Sequence, residues 1–281
     1  MPSDALDWSR ADTARFVRVP DADDDKYSRG VVGLRTGSDG YPGAAVLGVE
    51  AAWRSGAGFV RYVGPGRAAD AVLARRPETV VAAHAEGARV GAWVIGSGTD
   101  AAHRSPDDEA ELRSILAGDA VVVVDAGALD LAADASPDAT APLVLTPHAR
   151  EFARLRTRLD LPDDSDRERS AAEVAALLGA VVLLKGASTV IADPDGAVIR
   201  VEAGTGWLAT AGTGDVLGGV LGAVLAANPD ASTSEAVAAG AWLHGAAARI
   251  AAGADDGAPG HPIVALDVAE SLPQAVAGLL R

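Results

Sequence analysis

Short apolar runs rich in valine recur along the chain, and each is followed by glycine or small polar residues and then by a stretch of helical character. Most of these runs are continuous rather than alternating, which is typical of strands buried on both faces of a parallel sheet. Strands that alternate with helices place the helices on the faces of that sheet. The fold class that we predict is α/β, a three-layer α/β/α sandwich around a mostly parallel central sheet. The predicted strands are residues 31–35, 59–63, 79–82, 92–95, 120–124, 143–145 and 181–184.

The last third of the chain has a different pattern. Asp193-Pro194-Asp195-Gly196 is a turn sequence between two apolar runs, 189–192 and 197–201, so we predict a β-hairpin there. Three helices follow the hairpin. The helices predicted for the whole chain are residues 44–55, 107–116, 150–158, 170–178, 214–226, 233–252 and 263–280.

The ends of two helices carry recognisable signals. Ser170 with Glu173, and Ser232 with Glu235, have the spacing of a capping box, in which each side chain satisfies a free amide of the first turn. Gly253 follows the second of these helices and is typical of a helix C-terminus.

Composition and charge limit the function classes. The 281 residues include no cysteine, which excludes disulfides, thiolate metal sites and a cysteine nucleophile. Acidic residues outnumber basic ones 39 to 24, for a net charge of −15, so we expect neither nucleic acid nor an anionic membrane as a partner. Neither a secretory signal nor a bilayer-spanning run is recognised, so we expect a soluble, cytoplasmic protein. Without a linker, we predict one domain over residues 1–281, of which 1–28 form a loosely ordered or helical N-terminal segment.

Small and hydrogen-bonding residues follow five of the predicted strands, and ligands bind at this edge of an open parallel sheet. Lys185 ends a strand, where it is either a solvated cap or a partner for ligand phosphate. Asp125 either orients a water of magnesium or caps the next helix, and His148 either contacts ligand or is structural. The five segments are residues 36–40, 96–100, 125–127, 146–148 and 185–189.

A glycine-rich turn, Gly212-Thr213-Gly214-Asp215, runs directly into an apolar helix. The turn is not a Walker A loop, because the Gly-Lys-Ser/Thr ending is missing. Its glycines let the backbone approach a ligand, and the first amides of a helix favour an anion, so Gly212, Thr213 and Gly214 form a candidate anion nest. Asp215 is either a cap of this helix or a general base beside the nest. His244, in the middle of a later helix, is expected to pack inside the protein.

Six segments occur in an order that resembles the ADP/ATP-dependent NAD(P)H-hydrate dehydratases, carbohydrate-kinase-like enzymes of the ribokinase superfold. The resemblance begins near Lys26 and implies a ribokinase-like fold. Members often have Gly-Pro-Gly where this chain has Ser97 between two glycines, and His-Pro-Gly-Glu where Ala149 and Arg150 stand here. Members also often have Asn-Pro-Gly around the position of Trp207. The segments are Tyr41-Pro42-Gly43-Ala44-Ala45, Arg54-Ser55-Gly56-Ala57-Gly58, Val124-Asp125-Ala126, Leu145-Thr146-Pro147-His148 with Glu151-Phe152, Leu184-Lys185-Gly186-Ala187-Ser188-Thr189, and Ala211-Gly212-Thr213-Gly214-Asp215-Val216-Leu217.

The resemblance also implies an activity and a site. The reaction is dehydration of (S)-NAD(P)H hydrate to NAD(P)H with ADP or ATP as co-substrate and Mg²⁺, through phosphorylation of the C6 hydroxyl and loss of phosphate, with Asp215 as catalytic base. The implied nucleotide contacts are Lys185, Gly186, Ala187, Ser188, Thr189 and Gly214. The implied contacts to the hydrated dinucleotide are Ala44, Gly98, His148 and Asp215.

Two alternatives to this activity stay open at the level of the sequence. One is an ATP-dependent kinase of the same superfold that acts on a small vitamin-precursor alcohol and leaves the phosphate on its product. The other is a nucleotide-binding regulatory protein with a vestigial site. A homo-oligomer is expected in each case.

Overall fold

The computed structural model of the protein describes residues 5–134, 141–254 and 257–281, and within them the strands form one ten-stranded sheet. The absence of a secretory signal was predicted from residues 1–4, which lie outside the described residues. The strands are β1 (Leu6–Asp7), β2 (Val31–Arg35), β3 (Phe59–Val63), β4 (Val80–Ala82), β5 (Ala92–Ile95), β6 (Val121–Val124), β7 (Leu143–Leu145), β8 (Val181–Leu184), β9 (Thr189–Ala192) and β10 (Val198–Val201).

The sheet has the strand order β1-β10-β9-β8-β7-β6-β5-β2-β3-β4. Strand β9 runs antiparallel to both of its neighbours, and the other neighbouring pairs of the described strands are parallel. The predicted mostly parallel sheet is therefore confirmed. The predicted hairpin is formed by β9 and β10, in which Val198 lies opposite Ala192.

Helices cover both faces of this sheet, which confirms the three-layer α/β/α architecture. One layer contains α1, α2, α3, α8, α9 and α10, and the other contains α4 to α7. None of the described helices is long and apolar enough to cross a membrane. The helices are α1 (Arg10–Ala14), α2 (Pro42–Arg54), α3 (Gly66–Arg75), α4 (Pro106–Leu116), α5 (Leu129–Asp134), α6 (Ala149–Arg158), α7 (Arg167–Leu178), α8 (Thr213–Ala227), α9 (Thr233–Ala252) and α10 (Ala265–Leu279).

The two hydrophobic cores explain why the strands are continuously apolar. In β6, Val123 packs into the core beneath α8, whereas Val122 and Val124 pack into the core on the opposite face. Successive side chains of a strand point to opposite faces, so a strand covered on both sides is apolar at every position.

Local sequence signals predicted some element ends and missed others. Ser232 caps α9, and Gly253 ends it in the left-handed conformation with φ of 60°. The capping box predicted at Ser170 and Glu173 is wrong: α7 begins at Arg167, and Asp166 caps it by accepting a hydrogen bond from the Arg169 amide. A helix that starts three residues earlier places Ser170 inside its first turn, where the side chain is buried.

Three elements were not predicted from the sequence. The buried residues of α3 are Ala68, Ala69 and Val72, two of which are alanines. The helix α5 has six residues, and β1 has two. Elements this short carry too few residues for a periodic pattern to be recognised.

The N-terminal segment packs partly onto the domain. Ser9 and Asp12 form a capping box at the start of α1. The side chains of Trp8 and Phe16 are buried in the core beside α9, and the indole of Trp8 donates a hydrogen bond to Thr13 at 2.9 Å. The aspartates that follow, among them Asp21 and Asp23, are exposed.

Candidate functional site

The five polar segments predicted to form a site meet at one edge of the sheet. They follow β2, β5, β6, β7 and β8, which are adjacent and parallel. Backbone hydrogen bonds join successive segments: the Gly37 amide donates to Ser97 at 2.7 Å, and the Asp125 amide to Ile95 at 3.0 Å. Since the chain continues from β2 and from β5 to opposite sides, this edge includes the topological switch point at which ligands of such sheets bind.

A cavity of about 730 Å³ lies beside this edge, between the loop after β8, the start of α8 and the helix α9. This volume lies within the usual range for a small-molecule site. The cavity brings together seven predicted site residues, namely His148, Lys185, Gly186, Ala187, Thr189, Thr213 and Gly214. Ser188, Ala44, Gly98, Gly212 and Asp215 do not line it, so the predicted site extends beyond the cavity.

Lys185 and Asp125 form an ion pair at the ends of β8 and β6. The Lys185 ammonium donates to the Asp125 carboxylate at 2.7 Å, and both side chains are largely buried. Asp125 also accepts hydrogen bonds from Ser97 at 3.1 Å and from Thr146 at 2.9 Å. No side-chain cap is made at the turn that follows, so the alternative that Asp125 caps the next helix is wrong. Lys185 is likewise not a solvated strand end.

The glycine turn brings Asp215 next to this ion pair. Gly212 precedes α8 with φ of 89°, where an L side chain would be strained, and supplies no side-chain cap. A Cβ added to Gly214 would lie 3.4 Å from the Lys185 ammonium, so the lysine reaches the first turn of α8. Within the described residues, the backbone amides of Gly214 and Asp215 make no hydrogen bond. The start of α8 therefore offers free donors to an anion.

Asp215 is half-buried at the third position of α8, and its carboxylate has no hydrogen-bond partner among the described residues. Burial and the negative charge of Asp125 together raise its pKa to about 6, although the charge of Lys185 acts in the opposite direction. Nothing in this geometry makes Asp215 a helix cap. A carboxylate with such a pKa can accept a proton near neutral pH.

Ala44 and Gly98 lie at the switch point, outside the lining of the cavity. Gly98 has φ of 67°, and a Cβ added there would lie 2.4 Å from the Ala44 side chain, so glycine lets α2 approach the loop after β5. Farther along α2, a Cβ added to Gly48 would lie 3.6 Å from the Asp215 carbonyl oxygen. The helices α2 and α8 are therefore packed closely beside the predicted substrate residues.

His148 is the N-cap of α6. Its Nδ1 atom accepts hydrogen bonds from the amides of Arg150 at 3.1 Å and Glu151 at 3.4 Å, and the Glu151 carboxylate accepts from the His148 amide. The ring is half-exposed and lines the cavity. The histidine thus has the structural role that was left open, and its remaining ring edge stays accessible.

Two residues of the site were missed from the sequence. His244 is buried as expected, but its ring lines the cavity, and burial lowers its pKa to about 4, so the imidazole is neutral at pH 7. Arg167 donates hydrogen bonds to the backbone of the loop after β8. No sequence signal marked either residue, since one lies mid-helix and the other starts a helix that was predicted to begin later.

The fold defines the class to which the protein belongs. It superposes on a ribokinase-like superfamily protein from Enterococcus faecalis with a TM-score of 0.84, over 98% of this chain and 96% of that one, at 24% identity. The ribokinase-like fold is thereby confirmed. At 14% identity, a hydroxyethylthiazole kinase from Pyrococcus horikoshii shares the fold with a TM-score of 0.62, over 94% of this chain and 92% of that one.

Comparison with family models assigns the chain to a narrower group than the ribokinase-like fold does. A family model described as NAD(P)H-hydrate dehydratase matches residues 32–262, and the chain belongs to the NAD(P)H-hydrate dehydratase family. The crystal structure of an ADP/ATP-dependent NAD(P)H-hydrate dehydratase from Bacillus subtilis, co-crystallised with ATP and Mg²⁺, is 29% identical, with a TM-score of 0.85 over 98% of this chain and 99% of that one. The resemblance noted in the sequence is therefore confirmed.

Curated relatives agree with this assignment. A bifunctional NAD(P)H-hydrate repair enzyme of Mycobacterium leprae is 44% identical over 99% of this chain and 57% of its own length. An ADP-dependent (S)-NAD(P)H-hydrate dehydratase of Neisseria meningitidis is 38% identical over 81% of this chain and 79% of its own. This chain spans about half the length of the bifunctional relatives that it matches.

Proposed function

We propose that this chain converts (S)-NAD(P)H hydrate to NAD(P)H at the expense of ADP or ATP, a lyase reaction. The observation that carries the proposal is the Asp215 carboxylate, which lacks a hydrogen-bond partner within the described residues, has a raised pKa and stands beside free amides at the start of α8. The family membership supports the choice of reaction, since relatives bear the name of this activity.

The nucleotide binds in the cavity between the loop after β8 and α8. In this proposal its phosphates contact Lys185 and the backbone of Gly186, Ala187, Ser188, Thr189 and Gly214. The free amides of α8 and the Lys185 ammonium supply positive charge in a protein whose net charge is −15. The anion nest of Gly212, Thr213 and Gly214 then holds the phosphoryl group that is transferred.

The hydrated dinucleotide occupies the switch point. Ala44 and Gly98 present small side chains there, so that the nicotinamide half can approach the backbone, and His148 contacts the substrate from the edge of the cavity. Asp215 stands between this region and the phosphate site. Asp215 thereby lies beside the hydroxyl that it deprotonates, and in-line transfer requires that hydroxyl oxygen and the leaving nucleotide oxygen to lie on opposite sides of the terminal phosphorus.

Asp215 acts as the general base. It takes the proton of the C6 hydroxyl as the hydroxyl oxygen bonds to the terminal phosphorus of the nucleotide, and the bond from that phosphorus to the leaving nucleotide oxygen breaks. The first-turn amides of α8 stabilise charge on the transferred group. The product of this step is a C6 phosphate ester together with AMP from ADP, or ADP from ATP.

Loss of phosphate completes the dehydration. The lone pair of the ring nitrogen forms a bond to C6 as the bond from C6 to the ester oxygen breaks, and inorganic phosphate leaves with the electron pair. Loss of the proton from C5 then restores the dihydronicotinamide ring. Phosphate is a far better leaving group than hydroxide, which is why the reaction consumes a nucleotide.

The residues at the site fit a magnesium ion carried by the nucleotide. Across residues 5–134, 141–254 and 257–281, no group of three or more Asp, Glu, His or Cys side chains could hold a metal ion. Mg²⁺ commonly uses one or two carboxylates, substrate phosphates and several waters. Asp125 accepts three hydrogen bonds and retains capacity for another, so it is the carboxylate that would hold a water of the ion. When bound, the ion neutralises charge on the phosphates.

An assay with chemically hydrated NADH tests the proposal. In the presence of Mg²⁺ and ADP or ATP, the absorbance of reduced nicotinamide should return as inorganic phosphate is released in equal amount. A phosphorylated product that persists without this absorbance would instead indicate the kinase of the same superfold. Nucleotide binding without turnover would indicate the regulatory protein. The cytoplasmic location and the homo-oligomer stay predictions, the second of which sedimentation equilibrium tests.

A further inference from the structure

One arginine, Arg167, hydrogen-bonds to the backbone of the loop between β8 and β9, residues 185–188. Arg167 is the first residue of α7, and its guanidinium donates hydrogen bonds to the carbonyl oxygens of Leu184 at 3.1 Å, Lys185 at 3.2 Å and Ser188 at 2.8 Å. The Gly186 carbonyl accepts a hydrogen bond from the Thr189 hydroxyl. Four of the five carbonyl oxygens of residues 184–188, all except that of Ala187, therefore accept hydrogen bonds within the protein.

Unlike these carbonyl oxygens, the backbone amides of Gly186, Ala187 and Ser188 have no hydrogen-bond partner among the described residues. Gly186 and Ala187 line the cavity. A stretch of backbone with its carbonyls bound on one side and its amides free on the other is an anion-binding arrangement.

Gly186 is needed because Arg167 is so close. A Cβ added to Gly186 would lie 2.5 Å from one guanidinium nitrogen and 2.9 Å from the central carbon. Any larger residue would displace the guanidinium from the loop. The glycine that the family motif provides and the arginine that the motif does not include are thus coupled by a direct contact.

The charge of Arg167 has no counterion within residues 5–134, 141–254 and 257–281. Among the described residues it forms no ion pair, whereas Arg169, two residues farther along α7, pairs with Asp164 and Asp166 at the surface. In a chain with 39 acidic residues, a half-buried arginine without a carboxylate is best explained by an anion that arrives with the ligand. The loop amides and the guanidinium behind them would act on that anion together.

We propose that Arg167 is a positioning residue for the nucleotide phosphates. By binding three carbonyl oxygens it keeps them away from the phosphates and turns the amides of residues 186–188 toward them. This inference rests on the proposed function, because it requires that the cavity binds ADP or ATP. It goes further by assigning the preorganisation of the loop to a side chain on a different helix.

Calorimetric titration of the full chain with ADP tests the role of Arg167. Arg167→Met keeps the aliphatic part of the side chain and removes the guanidinium group. It should weaken ADP binding about tenfold or more, the scale expected for lost hydrogen bonds to a charged group. Arg167→Lys retains the positive charge but not the several donors of the guanidinium, and its ADP affinity should lie between those of Arg167→Met and wild type. Arg169→Met is the matched control and should bind ADP as wild type does.

Kinetics separate positioning from general damage. For Arg167→Met the KM for ADP should rise, whereas kcat at saturating ADP and the KM for the hydrated dinucleotide should stay near wild type. Equal losses for both substrates would overturn the inference, since a collapsed site affects both. Wild-type ADP affinity in Arg167→Met would overturn it as well. A wild-type chain that binds no ADP would instead refute the proposed function.

A double-mutant cycle with Gly186 completes the test. Gly186→Ala alone should weaken ADP binding because its Cβ displaces the guanidinium. In the Arg167→Ala background the same change should add little, because the clash is gone. Additive losses would contradict the coupling. If Arg167→Ala does not fold, the same cycle with Arg167→Lys gives the answer, since the lysine tip is smaller than the guanidinium.

Discussion

Two carboxylates of this protein, those of Glu50 and Asp215, lie on neighbouring helices and have opposite properties. Glu50 is on α2 and has no exposed surface. Burial by itself raises its pKa, but hydrogen bonds from Arg76, Arg54 and Arg75 outweigh burial and lower the pKa to about 2. Asp215 has no such partners among the described residues, and its pKa is raised to about 6.

The difference shows that one carboxylate stabilises the packing of helices, whereas the other has the properties of a proton acceptor. Glu50 joins α2 to α3, and Arg75 extends the network to Glu270 on α10 at 2.6 Å. A carboxylate bound this fully stays ionised near neutral pH and cannot serve as a base there. Asp215 is held only by its helix, so its charge is costly and its proton affinity is high, which are the properties of a base rather than of a structural ion pair.

The largest expected effect is on turnover in Asp215→Asn. The amide keeps the size of the side chain and removes the base, so turnover should fall by roughly 10²–10⁴-fold. ADP affinity should stay the same or increase, since one negative charge near the phosphates is lost. Stability above pH 6 should increase rather than fall, because the desolvated charge is gone. Turnover assays, calorimetric titration with ADP and thermal unfolding at pH 8 check these three expectations.

Asp267 provides the matched control. It occupies the same third position of its helix, α10, but its carboxylate accepts a hydrogen bond from the Val264 amide at 2.8 Å. Asp267→Asn should leave turnover unchanged and lower the stability by about 1 kcal/mol or less. If the two variants behaved alike, Asp215 would be no more than a helix-end carboxylate.

A smaller effect, on stability alone, is expected for Glu50→Gln. The change leaves the guanidinium groups of three arginines without their common anion, and removal of one partner from a buried ion pair costs about 3 kcal/mol or more. Turnover per folded molecule should remain near wild type, because the network does not reach the site. Urea unfolding at pH 7 measures the loss. Glu270→Gln, at the exposed end of the network, should cost less than about 1 kcal/mol.

The smallest expected effect is in the pH dependence of stability. The pKa of Asp215 is about 6 in the folded protein and near 3.8 otherwise, so the folded state binds a proton more tightly between pH 4 and 6. Stability from this group therefore rises as the pH falls through 6, by about 2–3 kcal/mol in all. Glu50 has its pKa lowered to about 2 and acts in the opposite sense, with stability lost as the pH falls from 4.5 toward 2.

Unfolding of wild type and Asp215→Asn over this range isolates the first group. The variant should be the more stable protein at pH 8, and the two should converge near pH 4. The pH profile of kcat/KM in wild type should fall below about pH 6, as Asp215 becomes protonated. Parallel stability curves for the two proteins would show that Asp215 does not titrate in this window.

Much of the fold was predictable because both faces of the sheet are covered. Strand β8 is apolar at every position and is followed by Lys185, and β2 has no charged residue before Arg35, so the sequence predicts their bounds. The helix α3 was missed because its buried residues are mostly alanine, and the cap of α7 was misplaced because Ser170 offered a competing signal. Local sequence patterns therefore predict which positions are buried better than they predict where helices and strands begin and end.

The sequence by itself determined which polar segments follow the strands and where the glycine turn meets α8. It left open whether Asp125, Lys185 and Asp215 were caps, solvated groups or parts of a site. The tertiary structure excluded the cap for Asp125 and the solvated strand end for Lys185, because the sheet order brings the end of β6 to within 2.7 Å of a lysine 60 positions away. The pKa of a side chain and the identity of its hydrogen-bond partner depend on distance and burial in the folded protein. Neighbouring residues in the sequence determine neither. Arg167 had no sequence signal at all, since its role arises only where α7 packs behind the loop after β8.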